Sequence, residues 1–483
     1  MTITLRHHLN SHRLLSVRVK LASLGFWVLA VLGLPAAGAV LQLGLPFADN
    51  AVFQQQVPVP VWGTSRPEAK VLVTFGAQTK TATANQDGNW RVTLDPLPGD
   101  KLASINEAPA GHALTVRAES ADGNETRTFK NILVGEVWLC SGQSNMAGKL
   151  GGAAGRTLPD GSVLTGDYPA LRQMVSPSTD PWLVCTPETV GQFKKVCFYF
   201  ASRLQKEILL PIGIINAAVG GSMIETWLNQ APYERGENYK TQIEPLAGYG
   251  LRGVVWYQGE SNAEQGNGRN YLPKLRSLIL GWRQVWRQGD FPFYFVQLAA
   301  IGTSGVDNPA GGDGRAEIRQ AQFEALAIPN TGMSVAIDIG DKREHPPNKY
   351  DTGVRLARWA LHRDYGKKDL VPSGPLYRSC KIEGEKIRVS FDYAQNGLML
   401  ACKDGASPPV PTPGAAMPWL SIQAKDGTWH WAEGVIDGAD LLVSCKDVKE
   451  PVAVRYAYTN FPVGFNLYNK DGLPASPFTT CGY

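Results

Sequence analysis

The chain has 483 residues, 43% of them hydrophobic and 19% charged, with a formal net charge of +4. That length exceeds what one core supports and predicts two or three domains, while the composition excludes a long disordered tract. Arg6, Arg13, Arg18 and Lys20 account for the whole positive excess, so the remainder is neutral and offers nothing to draw nucleic acid or an anionic membrane.

Residues 1–39 read as a signal peptide. Those four basic residues precede an apolar run, Leu21 to Leu34, and Pro35-Ala36-Ala37-Gly38-Ala39 supplies the small residues a signal peptidase accepts. The run is short for a membrane anchor, so the expected location is secreted or periplasmic. Seven cysteines in an exported chain suggest disulfides, with one left over. Cys140 ends an apolar strand and is expected to be free; Cys380 with Cys402, and Cys445 with Cys481, are candidate pairs. Cys197 lies on one helical face with Phe193, Val196, Phe200 and Leu204, although Cys185 is close enough in sequence to bridge. No Cys-x-x-Cys or His-rich spacing points to a metal, and no cofactor is expected.

Residues 40–131 read as a small β-sandwich. Val57 to Trp62, Lys70 to Phe75, Trp90 to Leu94 and Ala113 to Ala118 are strand-like, and Gly63, Gly76, Asp87-Gly88 and Gly99-Asp100 punctuate them. The stretch holds no cluster of His, Ser and carboxylate, so a positioning role is expected.

From residue 132 to 366 the rhythm changes to alternating strands and helices. The opening run, Ile132 to Cys140, breaks at Ser141-Gly142 into Gln143-Ser144-Asn145. Four further apolar runs follow, Leu210 to Ala218, Leu251 to Tyr257, Phe293 to Ala299 and Met333 to Ile339. Between them lie helical patterns such as Leu275, Leu278, Ile279, Trp282, Val285 and Trp286. Strand, helix, strand repetition predicts an α/β domain with a parallel sheet covered on both faces.

Chemistry in such sheets collects beyond the carboxyl ends of the strands. The first strand leads to Ser144, the second to Gly220-Gly221-Ser222, the third to Gln258-Gly259-Glu260-Ser261-Asn262, and the fifth to Asp338, Asp341 and His345. These residues suit acyl transfer. A serine hydroxyl needs a base to take its proton, and a histidine oriented by a carboxylate is the usual solution. His345 is the natural base, with Asp341 as the favoured acid and Glu260 as its rival. The backbone at Ser144, Gly220 and Gly221 and the side-chain amide of Gln258 are the expected oxyanion donors. Gln143, Asn145 and Asn262 are expected to bind substrate.

Four blocks in this order, GEVWLCSGQSNM, NAAVGGSMIETW, GVVWYQGESNA and HPPNKYDTGVRLA, resemble the motifs of the sialate O-acetylesterases, a branch of the SGNH hydrolases. The likeness extends to FADNAVFQQQVPVPVWG near the start and AVRYAYTNFPVGFNLYNKDGLPASPF near the end. It implies an SGNH-like (flavodoxin-like) parallel-sheet fold with flanking β domains, with Ser144 as nucleophile, Gly220-Gly221 as the oxyanion block and His345 as base. It implies removal of O-acetyl groups from sugars, typically sialic acid at its glycerol side chain; acetylated xylan and other polysaccharides are the alternative substrates. One departure stands out: SGNH enzymes commonly place the acid three residues before the histidine, and position 342 here is Lys.

Residues 367–483 return to strand rhythm, at Lys386 to Phe391, Leu398 to Cys402, Thr428 to Ala432, Asp440 to Cys445 and Ala453 to Tyr458. A second β domain is expected, with Trp419, Trp429, Trp431 and Tyr456 as core rather than a sugar platform, and Phe461 to Asn469 bordering the active-site rim. The reading is a serine esterase without metal or cofactor. The contrasting one is a carbohydrate-binding protein on an inactive hydrolase scaffold.

Overall fold

The computed structural model of the protein describes residues 40–482 apart from 153, 264–267 and 303–306, and the expected signal peptide over residues 1–39 lies outside the described residues. Strand β1, Gly123–Gly142, organises the rest. Its first half has exposed residues and pairs antiparallel with the strand His112–Ser120. At Asn131 the backbone turns to φ 56, a left-handed conformation that asparagine tolerates better than most residues. From Ile132 to Gly142 every residue is buried. The boundary expected between residues 131 and 132 therefore falls inside one continuous strand, and residues from Val40 onward pack as one unit.

Around the buried half of β1 lie β2 (Tyr168–Val175), β3 (Leu183–Cys185), β4 (Ile212–Ala218), β5 (Gly253–Tyr257), β6 (Phe293–Gln297) and β7 (Thr331–Val335). The order is β3-β2-β4-β1-β5-β6-β7, parallel throughout except for β3. The fold is thus mixed α/β, with a central mixed sheet and additional β sheets. Strands β2 and β3 are absent from the sequence reading. Pro169, Arg172 and Gln173 interrupt the apolar pattern of β2, yet Arg172 is only 2% exposed. Its guanidinium is satisfied by the carbonyls of Pro169, Asn50 and Asn131 at 2.9 to 3.2 Å, and burial lowers its pKa to about 10.

Helices cover both faces, as the register requires. Trp138 on β1 pairs with Gly253, whereas Ser141 pairs with Trp256, so the two tryptophans point to opposite sides. Trp138 meets Phe200 of α2 (Lys195–Ile208), and Trp256 meets Trp282 of α4 (Tyr271–Trp286). A Cβ on Gly253 would lie 2.7 Å from the Trp138 ring, which is why the partner position has no side chain. Helix α5 (Gly314–Glu324) lies beside α4, and α6 (Lys349–Arg363) beside α2.

Where β1 begins to pair with β4, it holds a buried carboxylate. Glu136, fully buried, accepts from Arg252 at 2.6 and 3.0 Å, from Gln54 at 3.2 Å, from Gln55 at 2.6 Å and from Tyr365 at 3.0 Å. Buried charges persist only when paired and hydrogen-bonded in this way.

The N-terminal strands alternate as a two-faced sheet should: Val71, Val73 and Phe75 are buried between more exposed neighbours. At the other end, the sheet Leu376–Glu383, Lys386–Asp392, Asp440–Ser444, Glu433–Asp437 and the sheet Trp429–Trp431, Leu420–Ala424, Pro451–Tyr456, Phe478–Thr479 enclose a second core. Ile387, Val389, Ile422, Leu441, Val443 and Val454 fill it. Tyr456 belongs to that core, but Trp431 is 40% exposed and Trp429 and Trp419 are half-buried. The expectation that all four are core holds for Tyr456 alone.

All seven cysteines are free thiols. The expected pairs do not form: Cys380 lies on the strand Leu376–Glu383 and Cys402 on Leu398–Cys402, which belong to different sheets. Cys197 packs against Met146, with sulfurs 3.5 Å apart. Among the described residues no helix is long and apolar enough to cross a membrane.

Candidate active site

Four parallel strands deliver their loops to one rim. Strand β1 stops at Gly142, whose φ of 132 suits glycine and where a Cβ would come within 2.1 Å of the Tyr257 carbonyl. Gln143 N–H then donates to that carbonyl at 3.0 Å, and the chain turns into α1, Ser144–Ala147. Ser144 is half-buried and faces the histidine loop between β7 and α6. His345 Nε2 lies 2.8 Å from Ser144 Oγ. For the hydroxyl to donate, Nε2 must be unprotonated and Nδ1 must carry the hydrogen.

The loop after β4 brings Gly220 beside the serine: a Cβ there would sit 3.7 Å from Ser144 Cβ, in ordinary contact. Gly220 and Gly221 are exposed. The backbone N–H groups of Ser144, Gly220 and Gly221 have no acceptor among the described residues. They are therefore available to a developing negative charge on an acyl oxygen.

Several expected partners stand elsewhere. Asp341 does not reach His345. Its carboxylate accepts from Arg343 Nη2 at 2.7 Å and Nε at 3.3 Å, and those bonds hold its pKa below the ordinary value. Glu260 does not reach the imidazole either. It is 1% exposed, accepts from Asn145 Nδ2 at 2.6 Å, and burial raises its pKa. Among the described residues, no carboxylate hydrogen-bonds His345 Nδ1.

Gln258 is not an available oxyanion donor. Asn262 Oδ1 accepts from the Ile224 N–H at 3.0 Å, so it is an oxygen, and the Gln258 atom 2.8 Å from it must be nitrogen. That nitrogen also donates to the Ser222 carbonyl at 3.0 Å, which uses both its hydrogens. Gln258 is fully buried and braces the Ser222 and Asn262 loops. Asn262 and Gln143 are likewise structural rather than substrate-facing. Asn262, fully buried, donates to Glu225 at 3.0 Å, and Gln143 Oε1 accepts from the Gly259 and Ser261 N–H groups at 3.4 Å. Asn145, 3% exposed, points inward.

The residue that sequence reasoning missed is Lys349. It is 7% exposed, donates to Asn145 Oδ1 at 2.6 Å and lies 5.7 Å over the Tyr257 ring. Burial lowers its pKa to about 8. A lysine opening a helix four residues after a histidine reads as solvated surface, so nothing in the sequence marked it.

A doubly wound sheet with a serine and a histidine in hydrogen-bond contact at its carboxyl rim has the architecture of a nucleophilic hydrolase. Comparisons with known proteins narrow the class. Residues 134–361 match the family described as carbohydrate esterase, sialic acid-specific acetylesterase. Sialate O-acetylesterases from Pongo abelii and Homo sapiens are each 28% identical, over 90% of this chain and 92% of theirs. The crystal structure of a carbohydrate acetylesterase from Xanthomonas citri is 33% identical, with a TM-score of 0.79 over 92% of this chain and 100% of that one. The chain belongs to the carbohydrate acetylesterases, and its residues 134–361 carry the match to the sialic acid-specific family.

Proposed function

We propose that the protein is a serine esterase that removes O-acetyl groups from sugars, with Ser144 as nucleophile and His345 as base. The observation that carries this is the 2.8 Å contact between Ser144 Oγ and His345 Nε2, beside N–H groups without acceptors. Ser144 Oγ attacks the acetyl carbonyl carbon while its proton passes to His345 Nε2. The oxyanion is met by the N–H groups of Ser144, Gly220 and Gly221. Collapse expels the sugar hydroxyl, which takes the proton from His345, and leaves an acetyl group on Ser144. Water, deprotonated by His345, then attacks the acetyl carbon, and collapse releases acetate while Ser144 Oγ takes the proton back from His345.

The substrate follows from kinship. The mammalian relatives carry the name sialate O-acetylesterase, which favours O-acetylated sialic acid. The Xanthomonas citri relative, at higher identity, is called a carbohydrate acetylesterase without naming a sugar, which leaves acetylated polysaccharide fragments as the second reading. Residues 132–366 would carry the chemistry, with 40–131 and 367–483 as flanking β regions and a secreted or periplasmic location. Acetate release from a panel of acetylated sialic acids and xylan fragments decides between the substrates. The same assay with Ser144→Ala tests the reaction itself: release that persists in the variant removes Ser144 as nucleophile, and a wild type inert on every ester leaves a carbohydrate-binding role.

A further inference from the structure

We infer that Asn145, Lys349 and Glu260 form a buried clamp that positions His345 against Ser144, an inference that rests on the esterase reading above. The clamp is built on the residue next to the nucleophile. Asn145 Nδ2 donates to Glu260 Oε1 at 2.6 Å and to the Glu344 carbonyl at 3.3 Å, and Asn145 Oδ1 accepts from Lys349 Nζ at 2.6 Å. The amide orientation is set by its neighbours, because an ammonium only donates and a carbonyl only accepts.

Those partners bracket the histidine. Glu344 immediately precedes His345 and Lys349 follows it by four residues, across Pro346-Pro347. Among the described residues, and apart from the contact between Ser144 and His345, the hydrogen bonds joining the nucleophile turn to the histidine loop and the start of α6 pass through this one carboxamide. His345 itself is exposed and, among the described residues, has no acceptor on Nδ1. Its orientation must come from its own backbone, and the backbone is held from both sides at Asn145.

Charge makes the three residues interdependent. Asn145, Glu260 and Lys349 are 3%, 1% and 7% exposed. A carboxylate buried that deeply needs a counter-charge, and Arg315 and Lys349 both supply it, Lys349 from the far side of the amide, against the Tyr257 face. Among the described residues Glu260 Oε2 is buried with no hydrogen-bond partner, so Asn145 is the side chain whose hydrogen bond holds the carboxylate. The charged or titratable groups facing Lys349 are Glu260 on α3 (Glu260–Ala263), Tyr257 on β5 and Lys195 on α2. None of the clamp residues contacts Ser144 Oγ or the imidazole, so they are positioning residues.

Steady-state hydrolysis of an aryl acetate tests the clamp, together with thermal melting of each variant. Asn145→Ala and Lys349→Met should each lower kcat roughly a hundredfold, the scale of loss from a misplacement of about 1 Å, with KM changed less than about threefold. The double variant should be no slower than the slower single, since both act through one contact. Either folded variant keeping more than half the wild-type kcat, or losses that multiply, overturns the proposal. Should Lys349→Met fail to fold for want of a charge opposite Glu260, the Glu260→Gln/Lys349→Met pair removes both charges; kcat should stay low there, and wild-type turnover would overturn the clamp. The kcat profile adds a readout that a merely structural role would not move: it should fall above about pH 8 as Lys349 loses its proton, and Lys349→Arg should carry that limb upward. A profile identical in Lys349→Arg counts against the clamp. A wild type that releases no acetate marks failure of the esterase reading, whereas an active wild type with active clamp variants marks failure of the clamp alone.

Discussion

Glu136→Ala should unfold the protein readily while leaving the chemistry of the surviving molecules intact. The carboxylate is fully buried and accepts five hydrogen bonds, two from Arg252 and one each from Gln54, Gln55 and Tyr365. Truncation strands the Gln55 amide, 7% exposed, while Gln54 Nε2 keeps the Gln55 carbonyl at 3.2 Å, and an unsatisfied buried donor costs about 1 to 3 kcal/mol. Arg252 loses a bidentate partner, but its side chain is 29% exposed, so water replaces part of that loss. Breaking a buried pair costs about 3 to 5 kcal/mol in general, and Glu136→Ala is expected in that range. Glu136→Gln, which keeps shape and some acceptors, should lose about half as much. Six residues of strand separate Glu136 from Gly142, roughly 20 Å at the usual rise, so kcat per folded molecule should not change. Urea unfolding followed by tryptophan fluorescence gives the first number and aryl-acetate hydrolysis below the transition gives the second. A loss under about 1 kcal/mol for Glu136→Ala would refute the reasoning, because the five bonds would then contribute no more than a solvated charge does.

Asp341→Asn should keep at least a third of wild-type kcat, since its carboxylate is tied to Arg343 rather than to His345; a fall of a hundredfold would restore it as the acid. Gln258→Ala should lower stability by about 1 to 3 kcal/mol through the unpaired Ser222 carbonyl, read by urea unfolding, and any loss of kcat should track that loosening. Gly142→Ala should yield little folded protein, because its Cβ would meet the Tyr257 carbonyl at 2.1 Å; soluble yield and circular dichroism read the outcome. Lys349 carries a folded pKa near 8, below the ordinary 10.5. Between those values the unfolded chain binds the extra proton, so this residue makes stability rise with pH across that window. Lys349→Met should flatten that part of a stability profile measured from pH 7 to 10.

Most of the sheet was legible because its strands are apolar runs bounded by polar loops. The third run was expected at Leu251 to Tyr257 and pairs over Gly253–Tyr257; the last was expected at Met333 to Ile339, but pairing ends at Val335 and Ile337–Ile339 form a 3₁₀ turn. Hydropathy continues past the end of hydrogen bonding, so such boundaries slip. Strand β2 was illegible for the opposite reason: Arg172 is buried by virtue of carbonyls contributed from residues 50, 131 and 169, and no local pattern announces that. The juxtaposition of Ser144 and His345 was readable from strand ends and residue chemistry. The direction of each amide was not. Gln258, Asn262, Gln143 and Asn145 look alike in sequence as polar residues beside a nucleophile, and only the three-dimensional donors and acceptors show that all four face inward.

Under the proposed esterase chemistry, that inward set bears on how His345 acts when, among the described residues, no carboxylate bonds its Nδ1. In a serine triad the acid does two things: it holds the imidazole in one tautomer and orientation, and it stabilises the imidazolium that forms when the serine gives up its proton. Exposure of His345 leaves the second task to solvent, because an ionised ring at the surface is hydrated rather than desolvated. The first task cannot be left to solvent, since water does not fix a ring to within the tolerance that proton transfer requires. It therefore falls to the backbone on either side of His345, and Glu344 and Lys349 are the points at which that backbone is tied to Asn145. The buried Glu260 contributes its charge at one remove, by fixing the amide that does the tying. An acid placed on Nδ1 would make this arrangement redundant. With Asp341 drawn away by Arg343, the distance between Ser144 and His345 depends on the carboxamide beside the nucleophile.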